Sequence, residues 1–261
     1  MMSNNFMIVN LDLGRLLMLL VFVFVTNCND PDANDCFKTT GDQSETVLQL
    51  PEFTRVLVGR NVEAFIQEDS QYAIKIVTGE NLLNGISVSV EEDQLIITDN
   101  NTCNFMRDYG TTKVYISSPD IREIRSSTQF RISSIGTLNY PNIAFISENF
   151  NNGDALPLAE FTFDINAERL SVISNSLSNF YISGSVNQLY VGFFNGVGRF
   201  EGENLFANDV EVSHRGSNDI IVHPQESIIG VIRGTGDVIA VNRPAIIAVD
   251  QLYTGQLIIN D

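Results

Sequence analysis

The chain has 261 residues, with 15 Lys and Arg against 32 Asp and Glu, and a formal net charge of −17 at pH 7. A surface this acidic repels phosphate groups, which argues against nucleic acid and anionic lipid as direct partners. Hydrophobic residues make up 44% of the chain, an ordinary share for a globular protein, and this share excludes a disordered chain.

The N-terminus has the features of an export signal. A basic residue precedes the apolar run Leu16–Val25, which is only about half as long as a membrane-spanning helix. The run ends in VTNC, which resembles a bacterial lipobox, the motif whose cysteine is acylated, although Asn27 stands where Gly, Ala or Ser is usual. We predict a lipoprotein signal peptide over residues 1–27, a lipid on Cys28 and a tether over residues 28–45. A plain secretory signal is the alternative.

The two other cysteines support export. If Cys28 carries lipid, Cys36 and Cys103 remain in a chain that enters oxidising surroundings, where they can pair. Neither has the C-x-x-C spacing or the nearby histidine of a redox or metal site. We therefore predict a structural disulfide between them. The predicted location is the outer membrane, held by the lipid anchor and facing the periplasm or the cell surface.

From residue 46 onwards the sequence is a series of short alternating runs bounded by Gly, Asn, Asp or Pro. In ISVSV, the apolar Ile86, Val88 and Val90 share one face, which is the period-two pattern of a half-buried strand. Acidic turn residues in VEEDQL, which ends at Leu95, join this run to the next and predict a hairpin. No convincing helical stripe follows residue 28, so the exported chain is predicted to be all-β.

The second half of the chain repeats. RGSNDIIV begins at Arg215 and RGTGDVIAV begins at Arg233, with the same Arg, Gly and Asp at the same offsets. Related turns begin at Ser176 and Gly196, with a fainter copy at Ser126, so the clear copies follow each other at about 18–20 residues. A rung of this size cannot bury its apolar side alone and stacks on its neighbours. We predict a parallel β-helix, or β-solenoid.

Alignment of the turns predicts a stacked apolar column, because the fourth residue after each turn start is apolar. Its predicted members are Phe130, Phe180, Phe200, Ile220 and Val238. His214 is expected to stack in the same wall with Phe194 and Ile232. The turn glycines are expected to take positive φ at the corners. A phosphate loop would need a following helix with a Walker lysine or a dinucleotide pattern, and neither is present.

The chain is predicted to have a hairpin-containing half over residues 46–138 and a regular half over residues 139–261. Residues 139–166 are interpreted as a loop inserted in one rung, because NNGD separates two apolar runs there. Loops of this kind can carry binding function. The candidate binding loop consists of Asn151, Asn152, Gly153 and Asp154.

No constellation of residues predicts catalysis. His214 and His223 lack the spacing of metal ligands, there is no GxSxG motif, and no thiol is left over as a nucleophile. Asp219 and Asp237 share a column, so a Ca²⁺ between them is an alternative, although Ca²⁺ takes about six oxygen ligands or more. We predict no cofactor, no metal and no catalytic residue.

Several blocks together resemble one bacterial family. They are DCF at residues 35–37, LVGRNVEAFIQ, the ISVSVEEDQLIIT hairpin, NTCNFMRDYG at residues 101–110 and KVYISSPDIREI, followed by the turn repeats. The combination resembles the head-GIN-domain proteins of the Bacteroidetes, labelled auto-transporter adhesins, over nearly the whole exported chain. The resemblance implies a parallel β-helix built from two halves and brings no catalytic residues with it.

These observations favour a non-enzymatic envelope or surface lipoprotein that presents its wall to a protein or glycan, as an adhesion module. Two other classes of protein stay open. One is a lyase-like β-helix enzyme acting on polysaccharides, which would need a basic residue beside a Ca²⁺ site. The other is a structural or stress-related envelope component without a ligand.

Overall fold

The structure, a computed structural model, describes residues 35–101, 103, 105, 107–108, 110, 112–148 and 158–260. These residues form seventeen strands and one short 3-10 helix, Glu80–Gly85, which confirms the predicted all-β class. The strands are β1 (Gln43–Gln49), β2 (Arg55–Val58), β3 (Val62–Glu68), β4 (Ala73–Gly79), β5 (Ile86–Glu91), β6 (Gln94–Asp99), β7 (Thr112–Ser118), β8 (Glu123–Ser126), β9 (Ile132–Leu138), β10 (Asn142–Ser147), β11 (Glu160–Ser174), β12 (Asn179–Phe193), β13 (Arg199–His214), β14 (Ile220–Ile232), β15 (Val238–Ala240), β16 (Ile246–Gln251) and β17 (Leu257–Ile259).

The predicted hairpin is present as the antiparallel pair β5 and β6. Its turn residues Glu92 and Asp93 take positive φ values of 46° and 70°, the left-handed conformation that a two-residue turn needs to match the twist of its strands. The Asp93 carboxylate accepts a hydrogen bond of 2.8 Å from the backbone N–H of Thr54. The hairpin is thereby fastened to the chain that leads into β2.

Two parallel stacks of strands make up one curled sheet. In the first stack β2 lies between β6 and β8, and β10 joins β8 to the second half of β11. In the second stack β3 lies between β7 and β9, and β9 pairs with the first half of β11. Strands β11 to β14 run through both stacks in parallel. Antiparallel pairs border the N-terminal end, so the sheet is curled without being a plainly closed parallel β-helix.

The curl arises inside the long strands, where the alternation of buried and exposed residues changes phase. In β13 the buried Phe200 is even-numbered, the buried Leu205 and Ala207 are odd-numbered, and the buried positions then return to even numbers at Val210. Each change of phase is marked by two consecutive exposed residues. Because the side-chain period of a strand is two, each such pair is a corner at which the strand bends around the core.

The apolar column is present, with one change of membership. Phe180 lies opposite Phe200 in the parallel register, and the rings of Phe161 and Phe180 are stacked with centroids 4.6 Å apart. The prediction for Phe130 is wrong, because Ile132 takes the place opposite Phe161. Phe161 comes from the stretch 139–166, whose described parts contribute β10 and the start of β11 to the sheet. The fully buried members are Ile132, Phe161, Phe180, Phe200, Ile220 and Val238.

The turn glycines are needed for two different reasons. Gly196 has a φ of 88°, as expected of a corner glycine. Gly234 has no positive φ, which corrects the expectation for this turn. A Cβ at Gly234 would lie 2.1 Å from the carbonyl oxygen of Gly216 in the rung below. The glycine is required there because successive turns stack in close backbone contact.

Candidate functional site

Two of the sequence-predicted sites fall outside the described residues. They are Cys28 and the candidate binding loop at residues 151–154, and both remain predictions. Within the part of the chain that the structure describes, no helix is long and apolar enough to cross a membrane.

The disulfide between Cys36 and Cys103 is present, with the two Cα atoms 4.4 Å apart. The guanidinium of Arg107 reinforces it, because one of its nitrogens lies 3.0 Å from a carboxylate oxygen of Asp35 and its side chain is almost fully buried. The other carboxylate oxygen of Asp35 accepts the backbone N–H of Cys103 at 2.9 Å. The disulfide and the charged hydrogen bonds therefore fasten the start of the described chain to the segment between β6 and β7. Their role is structural.

His214 ends β13 and is completely buried. Its register partners are Phe193 and Ile232, so the sequence alignment, which chose Phe194, was displaced by one residue. Neither ring nitrogen has a hydrogen-bond partner of good geometry among the described residues. Burial lowers the pKa of His214, and the backbone of Asn218 and the nearby Asp219 counteract this only in part. The ring is therefore a neutral core group.

We expect the folded protein to lose stability through His214 as the pH falls. The pKa of His214 in the folded protein lies below its ordinary value of 6.5. Below pH 6.5 the unfolded chain therefore binds a proton more readily than the folded chain does, and protonation favours unfolding. Urea unfolding between about pH 7.5 and 5.5 should show wild type losing more stability than His214→Leu. Val212→Ala, at another buried position of β13, removes no titrating group; it is the control and should show the pH dependence of wild type. Parallel pH profiles of wild type and His214→Leu would contradict the expectation.

Asp219 and Asp237 serve the backbone of the next rung. The N–H of Asp237 donates to Asp219 Oδ1 at 3.2 Å, and the N–H of Gln256 donates to Asp237 Oδ1 at 2.8 Å. Arg199 lies 3.3 Å from the other oxygen of Asp219, which offsets the repulsion between the stacked carboxylates. Among the described residues no group of three or more His, Cys, Asp or Glu is arranged to hold a metal ion.

A groove of about 690 Å³ crosses β9 and β11 to β13 on the outer face of the sheet. Its position follows from irregularities in three strand pairings that fall at the same height. The register shifts between Thr162 and Asp164, between Tyr181 and Gly184, and between Glu201 and Phe206. An extra residue in one strand re-aims the side chains around it. Aligned irregularities therefore make a concave strip across several rungs.

The groove combines one exposed aromatic side chain, Tyr181, and the buried Phe163 with many hydrogen-bonding groups. Tyr181 is 40% exposed and presents its ring to solvent beside the polar residues. Asp164 already accepts a hydrogen bond of 3.0 Å from the hydroxyl of Thr137, and Glu201 is paired with Arg199. The polar lining consists of Ser133, Ser134, Thr162, Asp164, Ser183, Glu201, Glu203 and Asn204. Acceptors predominate in this set, so the groove suits a ligand rich in hydroxyl groups and disfavours an anionic one.

A second groove, of about 470 Å³, lies along β11 to β14. Two of its charged groups have partners in the wall: Arg169 donates to the side-chain oxygen of Gln188 at 2.6 Å and 3.0 Å, and the hydroxyl of Ser227 donates to Asp209. Burial, together with the charge of Glu211, raises the pKa of its Tyr190. Tyr190 is half-buried, whereas Tyr181 in the first groove is 40% exposed, so the first groove is the better candidate for a binding site.

Sequence reasoning missed the first groove. Its residues belong to four strands of different rungs, and each of them looks like an ordinary outward-facing strand residue. The only signal in the sequence is a bulky exposed aromatic, Tyr181, among serines and acidic residues in FYISGS. Gly184, in the same segment, has a φ of 109° and marks the bulge, yet a glycine in a strand has several explanations.

Comparison with protein families gives one match over most of the chain. The model of the family described as "Putative auto-transporter adhesin, head GIN domain" matches residues 52–244. No curated protein matches the chain.

Solved structures share the fold. A "putative adhesin" from Bacteroides fragilis has a TM-score of 0.75 at 19% identity, covering 85% of this chain and 99% of its own. A "putative adhesin" from Parabacteroides merdae has a TM-score of 0.55 at 13% identity, covering 85% and 98%. A "Putative lipid binding protein" from Parabacteroides distasonis has a TM-score of 0.57 at 15% identity, covering 84% and 98%. At these identities the likeness shows the fold alone.

Proposed function

We propose, from the premise that the chain belongs to the head GIN domain family of auto-transporter adhesins, that it is a non-enzymatic binding module of the cell envelope. The groove around Tyr181 carries this proposal, because it is a concave, hydrogen-bonding surface with an exposed aromatic ring. It has the composition of a recognition site. The enzymatic and ligand-free alternatives become outcomes of the test below.

The stacked rungs support the proposal because they form a rigid platform for binding residues. Strands β11 to β14 pair in parallel register, and their turns stack through backbone hydrogen bonds such as that from Gly255 N–H to the Gly234 carbonyl, at 3.1 Å. We regard these rungs as a solenoid wall, with the two halves predicted at 46–138 and 139–261. Extended solenoid surfaces are used for recognition. Binding residues on such a wall keep their spacing because each rung fixes the next.

We propose a glycan without acidic groups as the ligand. Aromatic rings pack against the apolar faces of sugars, and the surrounding hydroxyl, amide and carboxylate groups match sugar hydroxyls. Repulsion by Asp164, Glu201 and Glu203 disfavours uronates. The predicted loop at residues 151–154 precedes β11, two of whose polar side chains line the groove. We keep that loop as a second contributor to binding.

Tyr181→Ala is expected to weaken glycan binding about tenfold, which corresponds to about 1.4 kcal/mol, because it removes the exposed ring against which a sugar face would pack. Isothermal titration with a panel of neutral and uronate-containing oligosaccharides measures it. Phe206→Ala is the matched control, since Phe206 is an exposed aromatic on β13 outside the groove lining. Equal weakening by both variants would refute the groove as the site. Cleavage of a polyuronate in the presence of Ca²⁺ would overturn the non-enzymatic proposal, and absence of any binding would favour the ligand-free class.

We propose that the module is held at the outer membrane by lipid on Cys28, and that it faces the periplasm or the cell surface. The adhesin family supports an envelope location. The sequence supports the anchor through the short apolar run that ends in VTNC. The described chain begins at Asp35, which contacts Cys103 and Arg107 between β6 and β7, so the tether would join the stack near its N-terminal end.

A further inference from the structure

Two exposed aromatic rings lie beside the disulfide, where the described chain begins. Phe37 follows Cys36 directly, and Phe105 lies two residues after Cys103. Phe37 is 54% exposed and Phe105 is 76% exposed, which makes Phe105 the most exposed large apolar residue among those described. The two ring centroids are 6.1 Å apart. The rings therefore form one small apolar surface, which we call the aromatic pair.

The aromatic pair is held in place on the surface of the protein. The backbone N–H of Phe105 donates to the carbonyl oxygen of Cys36 at 3.0 Å, next to the disulfide. The contact of Arg107 with Asp35 fixes the same two segments. Rings that are fixed before binding lose little conformational freedom when a partner covers them. Full burial of a Phe side chain contributes about 1.5–3 kcal/mol, so the pair is prepared for an apolar partner.

The length of the tether limits where the aromatic pair can be. Phe37 follows Cys28 by nine residues, which span at most about 32 Å when fully extended. Residues 1–34 lie outside the described residues, so this limit comes from chain length alone. When Cys28 carries lipid in a bilayer, Phe37 always stays within that reach of the membrane. Tethering makes a second membrane contact intramolecular, so even a weak contact becomes occupied.

The charge around the aromatic pair selects the kind of membrane surface. The segments 35–38 and 101–110 together carry two basic and two acidic residues, so their net charge is zero. The tether adds Asp30 and Asp32, and the whole chain carries −17. Anionic headgroups would repel these charges, whereas zwitterionic headgroups would not. The partner that fits is therefore a zwitterionic phospholipid bilayer.

We infer that Phe37 and Phe105 insert into the zwitterionic bilayer in which the lipid of Cys28 is anchored, as a second membrane contact. The contact depends on the proposed function as an anchored envelope module, because the lipid brings the aromatic pair to the bilayer. Phenylalanine side chains on a polar surface bury at the boundary between headgroups and acyl chains. The acyl chains and the aromatic pair together stop the domain from swinging freely on its tether.

The contact gives the strand stack an orientation on the membrane. The segment that carries Phe105 joins β6 to β7, near the N-terminal end of the stack. From β7 the parallel pairings pass through β3, β9 and β11 to β12, which carries Tyr181 of the groove. Four strand spacings amount to about 19 Å. The aromatic pair therefore holds one end of the stack at the bilayer, and the groove lies further along the stack.

The test uses the fact that the chain contains no tryptophan, so that Phe105→Trp introduces a single fluorescent indole. The full acylated chain, purified from a Bacteroidetes host, is reconstituted in phosphatidylcholine vesicles with brominated acyl chains. Bromine quenches an indole that is buried among acyl chains, so the emission of Phe105→Trp should fall by more than half relative to unbrominated vesicles. Leu252→Trp is the matched control, since Leu252 is 61% exposed between β16 and β17, and its emission should not change.

Phe37→Trp repeats the measurement at the other ring, so the test does not depend on the folding of one variant. An acylated, membrane-attached chain in which both variants are quenched no more than Leu252→Trp would overturn the inference and leave the anchor standing. Equal quenching at all three positions would also overturn it, because no particular end would then face the bilayer. A chain that mass spectrometry shows to lack acyl groups would remove the anchor and the second contact together. Glycan binding by Tyr181→Ala is measured separately, so the proposed binding function is tested independently.

Discussion

Replacement of both Cys36 and Cys103 by serine is expected to lower the free energy of unfolding by about 4 kcal/mol. The crosslink joins residues 67 positions apart and encloses β1 to β6, so removing it restores a large freedom to the unfolded chain. A domain has only about 5–15 kcal/mol of stability in total. Urea unfolding of the wild type and the double variant, followed by circular dichroism, measures the difference.

The contact between Arg107 and Asp35 makes the test specific. This ion pair holds the same two segments at 3.0 Å and remains when the cysteines are gone, so the folded geometry is expected to survive. A reductant should shift the wild type toward the double variant and leave the double variant itself unchanged. A loss below about 1 kcal/mol would mean that the ion pair and its hydrogen bonds already restrict the chain, and it would contradict the expectation.

Strand positions could be predicted because alternation has a physical cause. A side chain two residues along a strand returns to the same face, so the hairpin from Val90 to Leu95 and the column through Phe180 and Phe200 could be read from spacing. The same reasoning misplaced Phe130. The partner of Ile132 is Phe161, which lies inside residues 139–166, the stretch that the period of about 20 residues does not cover.

An error of one residue in aligning two rungs is enough to predict a buried side chain as exposed, or the reverse. Phe193 is almost fully buried and pairs with His214, whereas the adjacent Phe194 is substantially exposed. Neighbouring strand residues point to opposite faces, so an alignment error of one residue exchanges core for surface. The turns differ slightly in length from rung to rung, and the sequence alone does not say where the extra residue goes.

The groove could not be predicted for the same reason. It depends on bulges at one height in three pairings, and a bulge is a single residue of offset with no reliable sequence signature. Tyr181 and Thr162 come together because the first halves of β11 and β12 are neighbours, while their separation along the chain gives no hint of it. The composition of the strands could indicate a polar binding surface with an exposed aromatic ring. The position of that surface could be found only from the register of the strand pairings.

Cys28→Ser is expected to abolish membrane attachment of the chain in a Bacteroidetes host. Apolar burial of a lipid contributes about 0.8 kcal/mol per methylene group, so acyl chains on one residue can hold a soluble domain at a bilayer. The apolar run Leu16–Val25 is too short to span the membrane in their place. Fractionation after a carbonate wash measures attachment, and metabolic labelling with an alkyne fatty acid measures acylation directly.

Asn27 provides the matched control for this experiment. It is the residue that departs from the usual lipobox, so Asn27→Gly should keep both the label and the membrane fraction, and should raise the labelled share if processing is slow. Cys28→Ser should lose the label completely, whether or not its signal peptide is cleaved. Label that survives in Cys28→Ser would place the lipid elsewhere. A wild type that is exported without label would replace the anchor with the plain secretory signal.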